Sequence, residues 1–390
     1  MSAPRQFFII AGEASGDQLG AALMAGLKAE GACDFQGIGG PLMEAEGLAS
    51  LFPMDRLSVM GIAEVLPRLP EILRLIRQAA DAVVAEKPAA LITIDSPDFC
   101  LRVAKRARRR LPELRTIHYV APSVWAWRPG RAAKMARVID HVLALLPFEP
   151  PYMTAAGMTC DFVGHPVVEV PQATEAERFA LRSHLGLADA QPLLALLPGS
   201  RAGEVARHGP LFREVLERVQ AAHPRLACVV PAVPARVAAL ETLFAGMAQP
   251  PLILDPRRHQ TPEVLKRAAF AEATAALAVS GTVSLELAAA GTPMAVAYRV
   301  SPLSAAIARR LVRVKYASLV NIIEDAPIIP EFLQEAATAE TLTKEVSGLL
   351  QDPARRAAQT TRFEQAMTAL GRGGLPPGQR AAQSVLAALR

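Results

Sequence analysis

Short apolar runs rich in β-forming residues alternate along the chain with segments whose apolar positions recur every three or four residues. Phe7–Ala11 predicts a strand, followed by a glycine-bearing turn and a helix with Leu19, Leu23 and Leu27 on one face. Leu91–Ile94 predicts a strand followed by a helix from about Phe99, and Thr116–Val120 and Val142–Leu146 predict two more strands. The proline-broken, polar stretch from Pro166 to Glu177 then reads as a linker. The alternation resumes with Leu193–Leu197, Ala227–Pro231, Leu252–Leu254, Ala276–Val279 and Met294–Tyr298. Strands interleaved with helices imply parallel sheets covered on both faces. Two such blocks around a linker predict an α/β protein of two Rossmann-like, doubly wound domains facing a central cleft. The expected boundaries are 1–168, 169–351 and a helical segment 352–390, broken by glycines, that packs back on the N-terminal domain.

The length of 390 residues agrees with two domains, and 51% hydrophobic against 20% charged residues supplies two cores. No apolar run approaches the ~18–20 residues of a membrane span. The N-terminus shows no signal-peptide pattern, and Cys33, Cys100, Cys160 and Cys228 are dispersed without a CxxC pair, so a cytoplasmic protein with reduced thiols is expected.

Charge is unevenly spread. Residues 101–138 carry eleven basic side chains against the single acid Glu113, a local +10 in a chain of net +5. Such a window attracts a polyanion: a nucleic acid, an anionic membrane or a phosphorylated substrate. The bland alternative is a solvated helix face.

In open parallel sheets, ligands bind where strands end and loops enter helices, and four such turns carry chemistry. In Ala11-Gly12-Glu13-Ala14-Ser15-Gly16-Asp17, two acids would repel a diphosphate, so Glu13 and Asp17 suit sugar hydroxyls; alternatively Ser15 or Asp17 is a helix N-cap. Asp95 ends a buried strand and is the general-base candidate, whereas Asp98 reads as the N-cap of the next helix. In Leu197-Pro198-Gly199-Ser200-Arg201, a glycine turn with a hydroxyl and a guanidinium makes a diphosphate clamp. Ser280-Gly281-Thr282 precede an alanine-rich helix whose amides face an anion, with Glu286 one turn in to accept ribose hydroxyls. The sequence contains no DxD, GxGxxG, Walker A, HExxH or GxSxG motif and no metal-ligand set, and it implies no cofactor.

Ile62, Val65, Leu66, Leu69, Ile72, Leu73 and Ile76 form one helical stripe flanked by Arg68, Arg74 and Arg77, although Pro67 and Pro70 weaken a regular helix. Such a stripe either lies in a bilayer interface or docks on the protein's own core. Trp125 and Trp127 beside Arg128 also suit a membrane interface. Arg128 and Arg131 are charge-based candidates for an acceptor phosphate.

These residues fall in stretches that resemble one family. AGEASGDQLGA (11–21), MGIAEVLPRLP (60–70), IDSPDF (94–99), IHYVAPSVWAWRPGR (117–131), LPFEPPY (146–152), LLPGSRAGEV (196–205) and SGTVSLELAAAGTPMAVAYR (280–299) are similar, in order, to lipid-A-disaccharide synthases. The resemblance implies a GT-B type, inverting, metal-independent glycosyltransferase that joins UDP-2,3-diacylglucosamine to 2,3-diacylglucosamine 1-phosphate (lipid X), yielding the β-1,6-linked disaccharide 1-phosphate and UDP. It implies peripheral association with the cytoplasmic face of the inner membrane of a Gram-negative bacterium, and homodimers occur in the family. Within that reaction Asp95 is expected to be the base with Glu13 in reserve, Glu13 and Asp17 to orient sugar hydroxyls, and Ser200, Arg201, Ser280, Gly281, Thr282 and Glu286 to hold UDP. Asn321 matches a family Leu-Pro-Asn motif, from which Val320 departs, and a cleft role follows for it.

Three rival readings remain at this stage. A same-fold UDP-sugar epimerase or glucosaminyltransferase would differ in lipid dependence, and a nucleic-acid binder would use residues 101–138 with steep salt dependence. A catalytically dead UDP-sugar sensor is disfavoured by the intact acids.

Overall fold

All strand pairings among the described residues are parallel, and they form two sheets. The computed structural model describes residues 4–57, 62–128, 130–301, 305 and 314–390, with the backbone alone over 62–67. The chain divides into one unit running through Glu169 and completed by Leu370–Arg390, and a second comprising Val170–Ala369.

The first unit is built on β1 (Arg5–Ala11), β2 (Cys33–Ile38), β3 (Ala49–Ser50), β4 (Ala90–Ile94), β5 (Thr116–Tyr119), β6 (His141–Ala144) and β7 (Thr159–Phe162), in the order β3-β2-β1-β4-β5-β6-β7. Its helices are α1 (Ala14–Glu30), α2 (Pro41–Ala45), α3 (Ile62–Glu86), α4 (Pro97–Arg108), α5 (Gly130–Met135) and α6 (Pro150–Thr154). The period-two alternation of β1 divides its side chains between two cores. Phe7, Ile9 and Ala11 join Leu19, Leu23 and Leu27 of α1, while Phe8 and Ile10 join Leu75, Ala79 and Val83 of α3.

The second unit opens with α7 (Glu175–His184), whose N-cap Thr174 and Glu177 form a capping box. It continues through β8 (Leu193–Leu197), α8 (Ala202–Ala222), β9 (Ala227–Pro231), α9 (Val237–Phe244), β10 (Leu252–Leu254), α10 (Pro262–Glu272), β11 (Ala275–Val279), α11 (Val283–Ala289), β12 (Met294–Tyr298) and β13 (Glu331–Leu333). Strand order is β10-β9-β8-β11-β12-β13. Both sheets therefore have the doubly wound, Rossmann-like topology, with a reversal of strand order between β1 and β4 in one and between β8 and β11 in the other.

The structure differs from the sequence expectation at the sheet edges and at β2, which pairs with both β1 and β3. β2, β3, β7 and β13 were not expected, because these strands mix polar and apolar residues or are very short, and lack a continuous apolar run. The expected linker holds a 3-10 turn at Pro166–Glu169, and α7 begins within its last residues. Residues 352–390 divide rather than acting as one block: the helix Pro353–Ala369 belongs to the second unit, and Pro377–Ala388 lies against α1 in the first. That crossing is glycine-on-glycine. A Cβ added at Gly26 would lie 2.6 Å from the Gly378 carbonyl oxygen, and one at Gly378 would lie 2.6 Å from that of Ala22.

Candidate active site

The register that pairs Ala11 with Ile94 brings the turns after β1 and β4 side by side at the first reversal point. Glu13 is the N-cap of α1, in extended backbone, and its carbonyl accepts the Asp17 amide at 2.9 Å. Ser15 and Asp17, the expected caps, lie inside the helix. Asp17 also departs from its expected sugar role. Its buried carboxylate accepts the amides of Gly40, Leu42 and Met43 at 2.9–3.0 Å, and so caps α2.

Asp95 continues the ladder of β4 by donating its amide to the Tyr119 carbonyl at 3.0 Å, and its side chain is half-buried. Asp95 and Ser96 both occupy the left-handed region, at φ 49° and 42°. Neighbouring Val120 (φ 81°) and Arg128 (φ 53°) do too. Strain of about 1–3 kcal/mol per residue persists where surrounding structure imposes it, and such residues concentrate at functional sites. Gly12 accommodates this turn, since a Cβ there would lie 2.5 Å from Ser96 Oγ. Ser96, not Asp98, is the N-cap of α4. Asp98 is fully exposed in the first turn, with Arg131 at 3.9 Å.

The next two turns along this edge hold the tryptophans and a carboxylate that sequence reasoning passed over. Trp125 donates its indole N–H to Glu149 Oε1 at 3.2 Å and meets Phe148 edge-to-face, so it serves the fold and is not free for a membrane interface. Glu149 also accepts the Leu146 amide at 3.0 Å, yet burial raises its pKa to about 7 against those hydrogen bonds. Its signal in the sequence was a lone acid closing an apolar run. Trp127 is exposed, with the Arg128 guanidinium 4.2 Å above its ring.

On α3, Ile76 packs into the core and Ile72 against it, while Leu69 and Leu73 are exposed beside Arg74 and Arg77; the side chains of Val65 and Leu66 lie outside the described residues. In the basic window, Arg108 pairs with Asp140 and Arg110 with Asp81. Arg102, Lys105, Arg106 and Arg109 form an exposed stripe along α4.

In the second unit, pairing of Leu197 with Ala278 brings together the turns after β8 and β11. Gly199 takes φ 125°, and a Cβ there would strike the Glu204 side chain. Glu204 organises this turn by accepting the amides of Ser200 (3.0 Å) and Arg201 (3.3 Å) and the Arg201 guanidinium (3.0 Å). The Ser200 and Arg201 side chains remain exposed, Arg201 by 67%. Gly281 and Thr282 are exposed at the start of α11, whereas the Ser280 hydroxyl is donated to the Ala317 carbonyl at 2.9 Å. Glu286 is half-buried and ion-paired with Lys266 at 2.6 Å.

Asn321 does not have the expected ligand-facing role. It is buried, its amide nitrogen donates to the Ile329 carbonyl and to Glu331, and its amide oxygen accepts the Ile329 amide, each at 2.8 Å. Glu331 also accepts the amides of Ala317 and Ser318, so the network fixes the segment entering the helix Leu319–Glu324.

Each unit thus presents polar groups at the reversal point of its sheet: carboxylates in the first, a guanidinium and exposed amides in the second. A family model described as Lipid-A-disaccharide synthetase matches residues 7–377. The lipid-A-disaccharide synthase of Ruegeria pomeroyi is 54% identical over 97% of this chain and 94% of its own, and that of Rhodospirillum centenum is 47% identical over 98% and 94%. Among solved structures, a UDP-GlcNAc 2-epimerase from Neisseria meningitidis superposes with TM-score 0.64 at 9% identity, covering 98% of each chain. MurG of Acinetobacter baumannii gives 0.58 at 17%, covering 99% of this chain and all of its own. The shared fold is the GT-B type, and with family similarity spanning nearly its whole length, this chain belongs to the lipid-A-disaccharide synthase family of glycosyltransferases.

Proposed function

We propose that the chain transfers 2,3-diacylglucosamine from UDP-2,3-diacylglucosamine to the primary hydroxyl of 2,3-diacylglucosamine 1-phosphate, with inversion and without a metal. The observation that carries the assignment of roles is the turn at Asp95. A half-buried carboxylate sits on strained backbone at the reversal point of the first sheet, with Glu13 on the adjoining turn. Asp95 takes the proton of the acceptor hydroxyl as its oxygen attacks the anomeric carbon. The bond from that carbon to the diphosphate breaks, and UDP departs with the electron pair. General-base assistance of this kind contributes roughly 10²–10⁴ in rate.

In the second unit, Arg201 and the amides of Gly281 and Thr282 stabilise the departing diphosphate, with the Ser200 hydroxyl as a further donor. Glu286 takes the ribose hydroxyls by exchanging its Lys266 partner. In the first unit, Glu13 orients sugar hydroxyls, and Arg131 and Arg128 hold the acceptor phosphate. No helix among the described residues is long and apolar enough to cross a membrane. Leu69, Leu73 and Trp127, with Arg74, Arg77 and the α4 stripe, support peripheral attachment to an anionic lipid surface at about 1 kcal/mol per basic residue.

The test is UDP release in detergent micelles from both acylated sugars together, with EDTA present, for wild type and Asp95→Asn. Asparagine also tolerates the left-handed backbone, so the variant removes the base and keeps the turn. Release that needs both lipids, survives EDTA and falls by 10²-fold or more in Asp95→Asn is expected. Full activity in Asp95→Asn would move the base to Glu13, and a wild type without turnover would refute the reaction. Co-sedimentation with anionic but not neutral vesicles is the expected membrane result.

A further inference from the structure

The residues that contact UDP under the reading above sit on a turn needing an anchor. α8 begins at Ala202, directly after Arg201, and contains Pro210. Proline has no N–H for the carbonyl four residues earlier, so the first two turns of α8 are held to its remainder by a weakened ladder. What they have instead is His208.

His208 is completely buried. Its Nε2 lies 2.9 Å from the backbone N–H of Arg299, which can only donate, so Nε2 is the acceptor. The proton therefore resides on Nδ1, which donates to the Glu204 carbonyl at 2.9 Å. The ring stacks on Tyr298 at 5.9 Å between centroids and 21° between planes. Glu204 is the residue whose carboxylate gathers the Ser200 and Arg201 amides and the Arg201 guanidinium. One imidazole thus joins the end of β12 to the residue that shapes the arginine turn after β8.

We propose that His208 is a positioning residue for the UDP-binding turn, holding Arg201 in place by tying Glu204 to the backbone at Arg299. This rests on the assignment of Arg201 to the diphosphate. The link requires neutral imidazole, because a protonated Nε2 would face the Arg299 N–H donor to donor. The groups around the ring favour the neutral form on balance. Burial is the largest influence and lowers the pKa; the hydrogen bond to Glu204 and its charge act the other way, and Arg207 and Arg299 add to the lowering. The Tyr298 phenol lies on the stacked face.

Calorimetric binding of UDP to the full chain tests this with His208→Leu, His208→Asn and His208→Gln. Glutamine reaches the Nε2 position and still accepts the Arg299 N–H, whereas asparagine reaches only the Nδ1 position. Expected are a 10-fold or greater loss of UDP affinity in the leucine variant, which breaks both ends of the link, and a smaller loss in the asparagine and glutamine variants, each of which keeps one end. A role confined to stability would lower Tm but leave the affinity of folded His208→Leu or His208→Asn at the wild-type value, and that result overturns the proposal. A wild type that does not bind UDP would overturn the donor-site reading itself, and the inference with it.

Discussion

Trp125 and Glu149 share a hydrogen bond of 3.2 Å in which an indole N–H meets a carboxylate held near neutrality by burial. The chain has two tryptophans, so Trp127→Phe leaves Trp125 as sole reporter. Its emission should titrate with a midpoint near pH 7, and the transition should vanish in Trp127→Phe/Glu149→Gln. Flat emission between pH 5 and 9 in the parent would mean that Glu149 keeps an ordinary carboxylate pKa.

Asp17 and Glu13 belong to one turn but answer to different tests. Replacing Asp17 by Asn presents an amide N–H₂ to three backbone donors and leaves buried groups unsatisfied. The expected loss is about 3 kcal/mol, lowering Tm by roughly 10 °C, with kcat of the folded enzyme within about threefold of wild type. Glu13→Gln should do the reverse, lowering kcat with little change in Tm. If Asp17→Asn reduced kcat by 10²-fold at unchanged Tm, its carboxylate would have to be returned to the chemistry.

Acid should weaken this protein before most of its carboxylates titrate. Burial pushes His118 and His165 down to about 4, and lowers His141. The unfolded chain takes up these protons near pH 6.5, while the folded chain refuses them until about 4. The histidine contribution to stability is therefore complete above 6.5 and falls by roughly 1.4 kcal/mol per pH unit per histidine as pH drops through that window. Glu149 opposes this: its raised pKa makes its contribution largest below 4.5 and lost as pH rises through about 7, which cancels about one histidine. Urea denaturation between pH 7 and 4 should still show a net decline, and His118→Gln should reduce its slope. An unfolding free energy independent of pH over that range would contradict the burial of these rings.

The contact between α1 and the helix Pro377–Ala388 leaves no space for side chains at Gly26 and Gly378. Gly26→Val or Gly378→Val should separate the two helices and expose the segment around 370–376 to protease. Gly130→Ala, where an added Cβ meets nothing within 4 Å, serves as the control. Protease resistance equal to wild type in Gly378→Val would show that the helix does not rely on this crossing.

The central strands were legible because burial on both faces writes them as unbroken apolar runs. Leu193–Leu197, Ala227–Pro231 and Met294–Tyr298 were read to the residue, as was the edge strand Leu252–Leu254, whose run is apolar although Leu252 is exposed. β2, Cys-Asp-Phe-Gln-Gly-Ile, was not, because its polar positions face away from the core and imitate a loop. The site was legible as a set of strand-end turns, but individual side chains divided according to contacts that sequence spacing does not encode. Asp17 is claimed by amides more than twenty residues away, and Asn321 by Ile329 and Glu331. His208 was invisible for the same reason, since its acceptor role depends on an amide 91 positions along the chain.

The return of Pro377–Ala388 to α1 sets the order in which the protein can be born. Ala381, Ala382 and Val385 complete the core that Leu19, Leu23 and Leu27 begin. On the ribosome, the contiguous second unit has all its residues first, while the unit begun earlier waits with an apolar groove open. Closure of the amino-terminal core is thus tied to synthesis of residues 377–388, and a nonsense mutation that removed them would strike the first half of the molecule.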